Sequence, residues 1–220
     1  MTKLSFVVKR AVVVLFRMLV VLLALLATFA WYSDWAVRGD LGERTRDLSS
    51  DELVAKPVGS VTHAVTIRRS ARDVWPWLAQ MGSGRAGWYA YDFIDNGGRP
   101  SAERILPELQ SVAVGTVFPA LPGAKDVFVV VRCEPEHSLV LAWRSPEGTY
   151  LTTWAFVLEQ PEPNHTRLIV RGRAAPGYAP YGLPRWFAKL TARWAHAIME
   201  RKQLLAIQRR AEAASYLSPK

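Results

Sequence analysis

Residues 61–67, VTHAVTI, run into 71–96, ARDVWPWLAQMGSGRAGWYAYDFIDN, across a joint of Arg68, Arg69 and Ser70. The hydrophobic period changes within that joint. Val61, His63, Val65 and Ile67 share one face while Thr62 and Thr66 take the other, the alternation of a half-buried strand. From Ala71, Val74, Trp77, Leu78 and Met81 fall on one helical face. Ser70 is placed as the N-cap with Asp73 at the third position, close to a capping box. Pro76 stands in the first turns, where a missing backbone donor costs least. The helix then empties into a glycine loop, 82–98, bearing Trp88, Tyr89, Tyr91 and Phe93. The run GSGRAG at 82–87 trails a helix and has no lysine–serine pair after it. It reads as a helix C-cap and a flexible lip, not a phosphate loop.

Ala102–Leu109 is a short helix or turn, and five strands are expected after it. They are Val114–Phe118, Val127–Cys133, Leu139–Arg144, Tyr150–Leu158 and Arg167–Arg173, joined by turns at 134–137, 146–148 and 161–164. In the last strand Arg167, Ile169, Arg171 and Arg173 share one face and Leu168, Val170 and Gly172 the other. Consecutive hairpins with this alternation make an antiparallel sheet with one covered face. The cover is a helix over Arg185–Ala214, opened by Pro184. Its expected inward stripe is Phe187, Leu190, Trp194, Ile198 and Leu205, with Arg193, Glu200, Lys202, Arg209 and Arg210 left wet.

The motifs at 73–96 (DVWPWLAQMGSGRAGWYAYDFIDN), 114–119 (VGTVFP) and 153–173 (TWAFVLEQPEPNHTRLIVRGR) resemble the SRPBCC group of the START-like, helix-grip superfamily. These are proteins of the polyketide cyclase/dehydrase and lipid-transport type. The resemblance spans about 61–214 and implies an α+β fold: a first strand, a small helix pair, and an antiparallel sheet wrapped on a long C-terminal helix. It also implies no redox cofactor, no metal and no nucleic-acid sequence readout. It does not fix a reaction, because such folds host binders, carriers and enzymes.

Ahead of the domain, Ala11–Tyr32 is apolar apart from Arg17, long enough to cross a bilayer core with Arg17 snorkelling. Trp31, Tyr32 and Trp35 stand where an interfacial aromatic belt belongs. The chain divides into a basic N-terminus (1–10), a transmembrane helix (11–32), a linker (33–59) and the domain (60–216). A slight basic excess before the span places the N-terminus inside and the domain outside. The alternative is a cleaved signal peptide, with Thr28-Phe29-Ala30 as its cleavage site. Residues 33–60 alternate acids and bases among Gly39, Gly42, Pro57 and Gly59 and read as a tether.

The net charge of +9 and pI near 10.0 invite a nucleic-acid reading. The arginines, however, are dispersed without a basic block or a recognition signature, which suits anionic lipid head groups better. Cys133, the only cysteine, permits no intrachain disulfide and reads as a buried structural thiol. His63, His137, His165 and His196 lie far apart in sequence with no metal-ligand spacing, His137 and His165 in hairpin turns. His63 and His196 approach one another if strand and closing helix pack.

A cavity between sheet and helix would be lined by Met81, Trp88, Tyr91, Phe118, Trp143, Trp154, Phe156, Trp194 and Ile198. Each of these also serves as core. Asp92 and Asp95 either hold a proton or cap a turn and pair with Arg99 or Arg104. The loop 175–183 with Tyr178 and Tyr181, beside Trp186 and Phe187, is either a gate or an ordinary turn. The expected function is a membrane-anchored binder of an apolar small molecule, such as a lipid, isoprenoid or polyketide-like compound, with membrane lipids as partners. The alternatives are a cyclase or aromatase using Tyr91 with Asp92 or His63, and a membrane-associated structural scaffold.

Overall fold

The computed structural model describes residues 2–123, 127–178 and 185–213, with side chains over 8–123, 127–178 and 192–213. The chain order is α1 (Thr2–Ala36), α2 (Leu41–Thr45), β1 (Gly59–Ile67), α3 (Ala71–Gln80), α4 (Asp92–Asp95), β2 (Val117–Pro119), β3 (Val127–Glu134), β4 (Ser138–Arg144), β5 (Tyr150–Glu162), β6 (His165–Ala174) and α5 (Arg185–Ala213). Short 3-10 turns lie at 51–54 and 107–109. The six strands form one antiparallel sheet in the order β1-β6-β5-β4-β3-β2. This is the expected α+β helix-grip arrangement.

The opening stretch folds as its pattern requires. Ser70 Oγ accepts from the Asp73 amide and starts α3. Val74, Trp77 and Leu78 of α3, Met81 after it and Ile67 of β1 are fully buried. The β1–β6 register sets His63 opposite Val170 and Val65 opposite Leu168, so the apolar residues of both strands face α5. Register shifts at Val130/Arg132, Trp143/Arg144 and Glu159/Glu162 interrupt the ladder, as bulges do where a sheet bends.

Two expectations are corrected here. Residues 33–60 are no loose tether: 33–36 complete α1, 59–60 open β1, and the stretch between, with Glu43 and Asp51, lies on the outer face of the sheet. The Gly39 amide donates to the Thr62 carbonyl (3.0 Å) and the Ala64 amide to Val37 (2.7 Å), fixing the strap to β1. Asp40 and Glu43 form a reciprocal capping box on α2. The acids of the strap then meet the outward arginines. Arg167 pairs with Glu43 (2.6 Å), Arg171 and Arg173 with Asp51 (2.5 and 3.0 Å), and Arg132 with Glu52 (3.0 Å). The face expected to be solvated is therefore covered over β1 and β6.

The second correction concerns α5. Trp194 is 39% exposed and Leu205 37%, so neither belongs to an inward stripe. The buried face is Ala197, Leu204, Ile207 and Ala211, joined by Glu200, Gln203 and Arg210. These polar residues are buried because each has built-in partners. The Phe187 and Leu190 side chains lie outside the described residues.

Helix α1 is long and apolar enough to cross a membrane. Its side chains are exposed from Val8 to Phe29, about 33 Å of helix at 1.5 Å per residue. Beyond that point Ala30, Ser33 and Asp34 are buried against the domain.

Candidate functional site

The lip after α3 is a closed turn. Gly82 and Gly87, at φ of 122° and 83°, exchange backbone hydrogen bonds of 3.1 and 3.0 Å. A side chain at Gly87 would collide with Ser101, so the position needs glycine. Arg85 folds back and donates to the carbonyls of Met81 (2.9 Å), Ala79 (2.9 Å) and Leu109 (3.1 Å), stacking on Phe118. Tyr89 follows at φ 61°, its hydroxyl accepting from Gln80 Nε2 (2.8 Å) and its amide donating to Ser101 Oγ (3.1 Å). Ser101 donates through Oγ and through its amide to the two oxygens of Asp92, at 2.5 and 3.1 Å. Gln203 of α5 donates to the Trp88 carbonyl (3.0 Å) and draws the lip onto the helix.

Between this segment and α5 lies a pocket of about 500 Å³. Tyr91, Asp92 and Glu103 line one side; Arg201, Lys202, Leu205 and Arg209 line the other. The Lys202 ammonium stands 4.2 Å from the Tyr91 ring centroid. The Arg201 guanidinium stands 4.9 Å from the ring of Tyr32, near the end of α1. One arginine thus touches both the pocket and the foot of the apolar helix. Beside the pocket, Asp95 is buried with neither carboxyl oxygen bonded among the described residues. Burial first, and then the charge of Asp92, push its pKa up to about 6.

A second constellation joins four elements in the interior. The Nδ1 of His63 (β1) bonds to Glu200 of α5, and its Nε2 lies 3.3 Å from Asp34 of α1. The other Glu200 oxygen accepts from Trp154 Nε1 (2.7 Å) and lies 3.2 Å from His196 Nε2. Asp34 is completed by Arg38 and by Arg193 at 3.5 Å. A neutral imidazole has only one N–H, so a carboxylate at each ring nitrogen calls for the imidazolium. Burial opposes that charge, but the bond and charge of Glu200, followed by those of Asp34, outweigh it and raise the His63 pKa. Burial likewise works against ionised Glu200, yet His196 and then His63 hold its pKa below the usual carboxylate range. With 1% of its surface exposed and both nitrogens occupied, His63 offers nothing to a substrate. The cluster is a clasp between α1 and α5 through the edge of the sheet.

The residues expected to line a cavity separate into groups. Trp88, Phe118, Trp154 and Phe156 come together: the Trp88–Trp154, Trp154–Phe156 and Trp88–Phe118 centroids are 5.3, 5.0 and 6.3 Å apart. Met81 is buried beside them, its sulfur 3.9 Å from Gln203 Nε2. These rings pack against one another at tilted angles between sheet and helix. Tyr91 stands in the pocket wall instead. Trp143 lies apart, edge-on to Tyr178 at 5.7 Å. Ile198 is half-buried and Trp194 faces outward. Asp92 bonds to Ser101, not to Arg99 or Arg104. Cys133 is half-buried and donates to the Val112 carbonyl (3.4 Å). The rest of the 175–183 loop, with Tyr181, and the Trp186 and Phe187 side chains lie outside the described residues. Among the described residues no group of three or more His, Cys, Asp or Glu is arranged to hold a metal.

Reading the sequence missed Asp34, Glu200, Arg201 and Lys202. One signal for Glu200 was present: it sits three residues after Ala197 and four before Leu204, on the small-residue side of α5.

No family model matches the chain, and no curated protein matches it in sequence. Solved structures with a similar chain path include a protein from Mesorhizobium loti, 16% identical, with 74% of this chain and 100% of that one aligned and a TM-score of 0.42. A Polyketide_cyc-like protein of Corynebacterium glutamicum is 17% identical over 71% of this chain and 93% of its own, with a TM-score of 0.41. The Aha1 dimer of Colwellia psychrerythraea is 18% identical over 69% of this chain and 98% of its own, with a TM-score of 0.37. At this level the likeness speaks to chain path alone, and the functional reading rests on the geometry described above.

Proposed function

We propose that this is a membrane-anchored binding protein for an amphipathic or apolar small molecule, held at the pocket between α5 and residues 89–103. One observation carries the reading. Helix α1 exposes side chains that are apolar apart from Arg17 and Thr28 over residues 11–29 and then enters the domain within one side chain, Arg201, of the pocket. A bilayer core is about 30 Å thick, close to the length of that exposed cylinder. Trp31, Tyr32 and Trp35 then fall at the interface, where such rings reside. The mixed lining of Tyr91, Leu205, Arg201 and Lys202 suits a molecule with one apolar and one polar end. The charge asymmetry favours the N-terminus inside and the domain outside.

Two measurements on the full chain test this. Membranes containing the protein are washed with alkaline carbonate, and the protein purified in detergent is extracted with solvent for mass spectrometry. The expected results are retention in the pellet and a co-purifying amphiphile near one per chain. Release by carbonate removes the anchor. An empty protein that takes up no fluorescent lipid removes the binding function.

A further inference from the structure

The pocket wall is unevenly charged. Its lining holds Arg201, Lys202, Arg209 and Arg210 against Asp92 and Glu103, a surplus of two positive charges. The two acids are already engaged. Glu103 takes Arg210 at 2.6 Å and Arg209 at 3.5 Å, and Asp92 accepts both donors of Ser101. Among the described residues neither Arg201 nor Lys202 has a carboxylate within salt-bridge distance, though the charge of Asp95 reaches Lys202; they rest on Tyr32 and Tyr91. A guanidinium and an ammonium side by side in a pocket wall, with no carboxylate bridging to either, make a receptor for an oxyanion.

We propose that the pocket binds a ligand with a terminal phosphomonoester, with Arg201 and Lys202 receiving the phosphate. This rests on the reading of the pocket as the binding site. The choice of phosphate follows from the charge surplus: a phosphomonoester carries about −1.5 to −2 at pH 7 and a carboxylate about −1. The tail has an apolar way out. Leu205 lines the pocket at 37% exposed, and Phe93 and Ile94, next to Asp92 in α4, are 76% and 50% exposed. An anionic lipid therefore fits head first, with its chain toward these side chains.

The test places the full chain in phosphatidylcholine nanodiscs carrying phosphatidic acid as a minor component. Native mass spectrometry reads which lipid stays on the protein, with and without inorganic phosphate as competitor. Phosphatidic acid is expected to be enriched on the wild type. Losing one charge-assisted contact in Lys202→Gln lowers that enrichment about tenfold, while Lys202→Arg keeps it. Lys202 is exposed, so this variant leaves the core untouched. Arg144→Gln, an exposed charge on β4, leaves the enrichment unchanged. Equal retention of both lipids, undisturbed by inorganic phosphate, overturns the phosphomonoester reading and leaves the binding function standing. Retention of neither overturns both. Binding of inorganic phosphate with no preference for phosphatidic acid keeps the phosphate chemistry and overturns the lipid as its source.

Discussion

Glu200→Gln tests whether the buried clasp is an ion pair or merely a set of hydrogen bonds. Glutamine keeps the volume and its one oxygen still accepts from Trp154 Nε1, so the 2.7 Å bond survives; the NH2 that replaces the other oxygen can bond His63 Nδ1 only when that nitrogen has released its proton. Removing one partner of a buried pair costs about 3–5 kcal/mol. We take the lower end, about 3 kcal/mol, because His63 keeps Asp34 and relieves itself by releasing its proton. The pH dependence follows from the two shifts. The folded pKa of His63 is raised above 6.5, so its stabilisation is complete below 6.5 and fades as pH rises through the folded value. The folded pKa of Glu200 is lowered from 4.5, so its stabilisation is present above 4.5 and fades as pH falls through the folded value. The loss on mutation is therefore largest between 4.5 and 6.5 and shrinks toward alkaline pH, by at most about 1.4 kcal/mol per pH unit. Urea unfolding of the full chain in detergent micelles, followed by tryptophan fluorescence, gives both numbers. A loss below about 1 kcal/mol near pH 5.5, or one that is the same near pH 9, refutes the ion-pair account.

Other variants probe the remaining contacts by the same unfolding assay unless another is named. Asp95→Asn stabilises the protein by up to about 3 kcal/mol above pH 6 and changes nothing near pH 3.8, because folding raises this acid to about 6 and burial penalises its charge. Gly87→Ala costs about 2 kcal/mol or more, since it forces a side chain into a positive φ and against Ser101. Arg171→Leu strips a buried guanidinium from Asp51, Thr62 and the carbonyls of Glu43 and Arg46 and costs about 3–5 kcal/mol. Limited proteolysis of that variant cuts within 40–58 sooner than in the wild type; unchanged cleavage there shows that the strap is held by its backbone bonds alone.

The sheet and its first helix were legible because their information is local: alternation in VTHAVTI, a cap at Ser70, and hairpin turns between apolar runs. The strap was not. Residues 33–60 carry no periodic apolar face and so look like linker, yet Glu43 and Asp51 find their partners, Arg167 and Arg171, more than a hundred residues away. Charge complementarity at that distance leaves no trace in periodicity. The rotation of α5 was hidden for a related reason. Its large residues, Trp194 and Leu205, suggested one face, but burial went to Ala197, Leu204 and Ile207 because Glu200 and the Gln203 amide nitrogen find partners there. Hydrophobic pattern ranks faces by side-chain transfer, and a specific set of hydrogen bonds reverses the ranking. Tyr91 stands in the pocket wall, whereas Trp88 and Trp154 pack against one another, a difference that sequence could not distinguish.

Asp34 explains why the strap and the clasp belong to one design. It occupies the last turns of α1, two residues past Tyr32, and is buried against His63 while Tyr32 carries Arg201. A flexible leash between an anchor and a domain would leave the domain's orientation to chance and its pocket at any distance from the bilayer. Here the helix is continuous into the domain, its end is held by the clasp, and the following segment is tied to β1 by backbone bonds at Val37 and Gly39. On the proposed reading, a bilayer around residues 11–29 then fixes Arg201 at the level of the head groups. An anchor used only for residence needs no such coupling. Rigid attachment matters when the domain must present one particular surface to the membrane, and on the proposed reading that surface is the pocket wall.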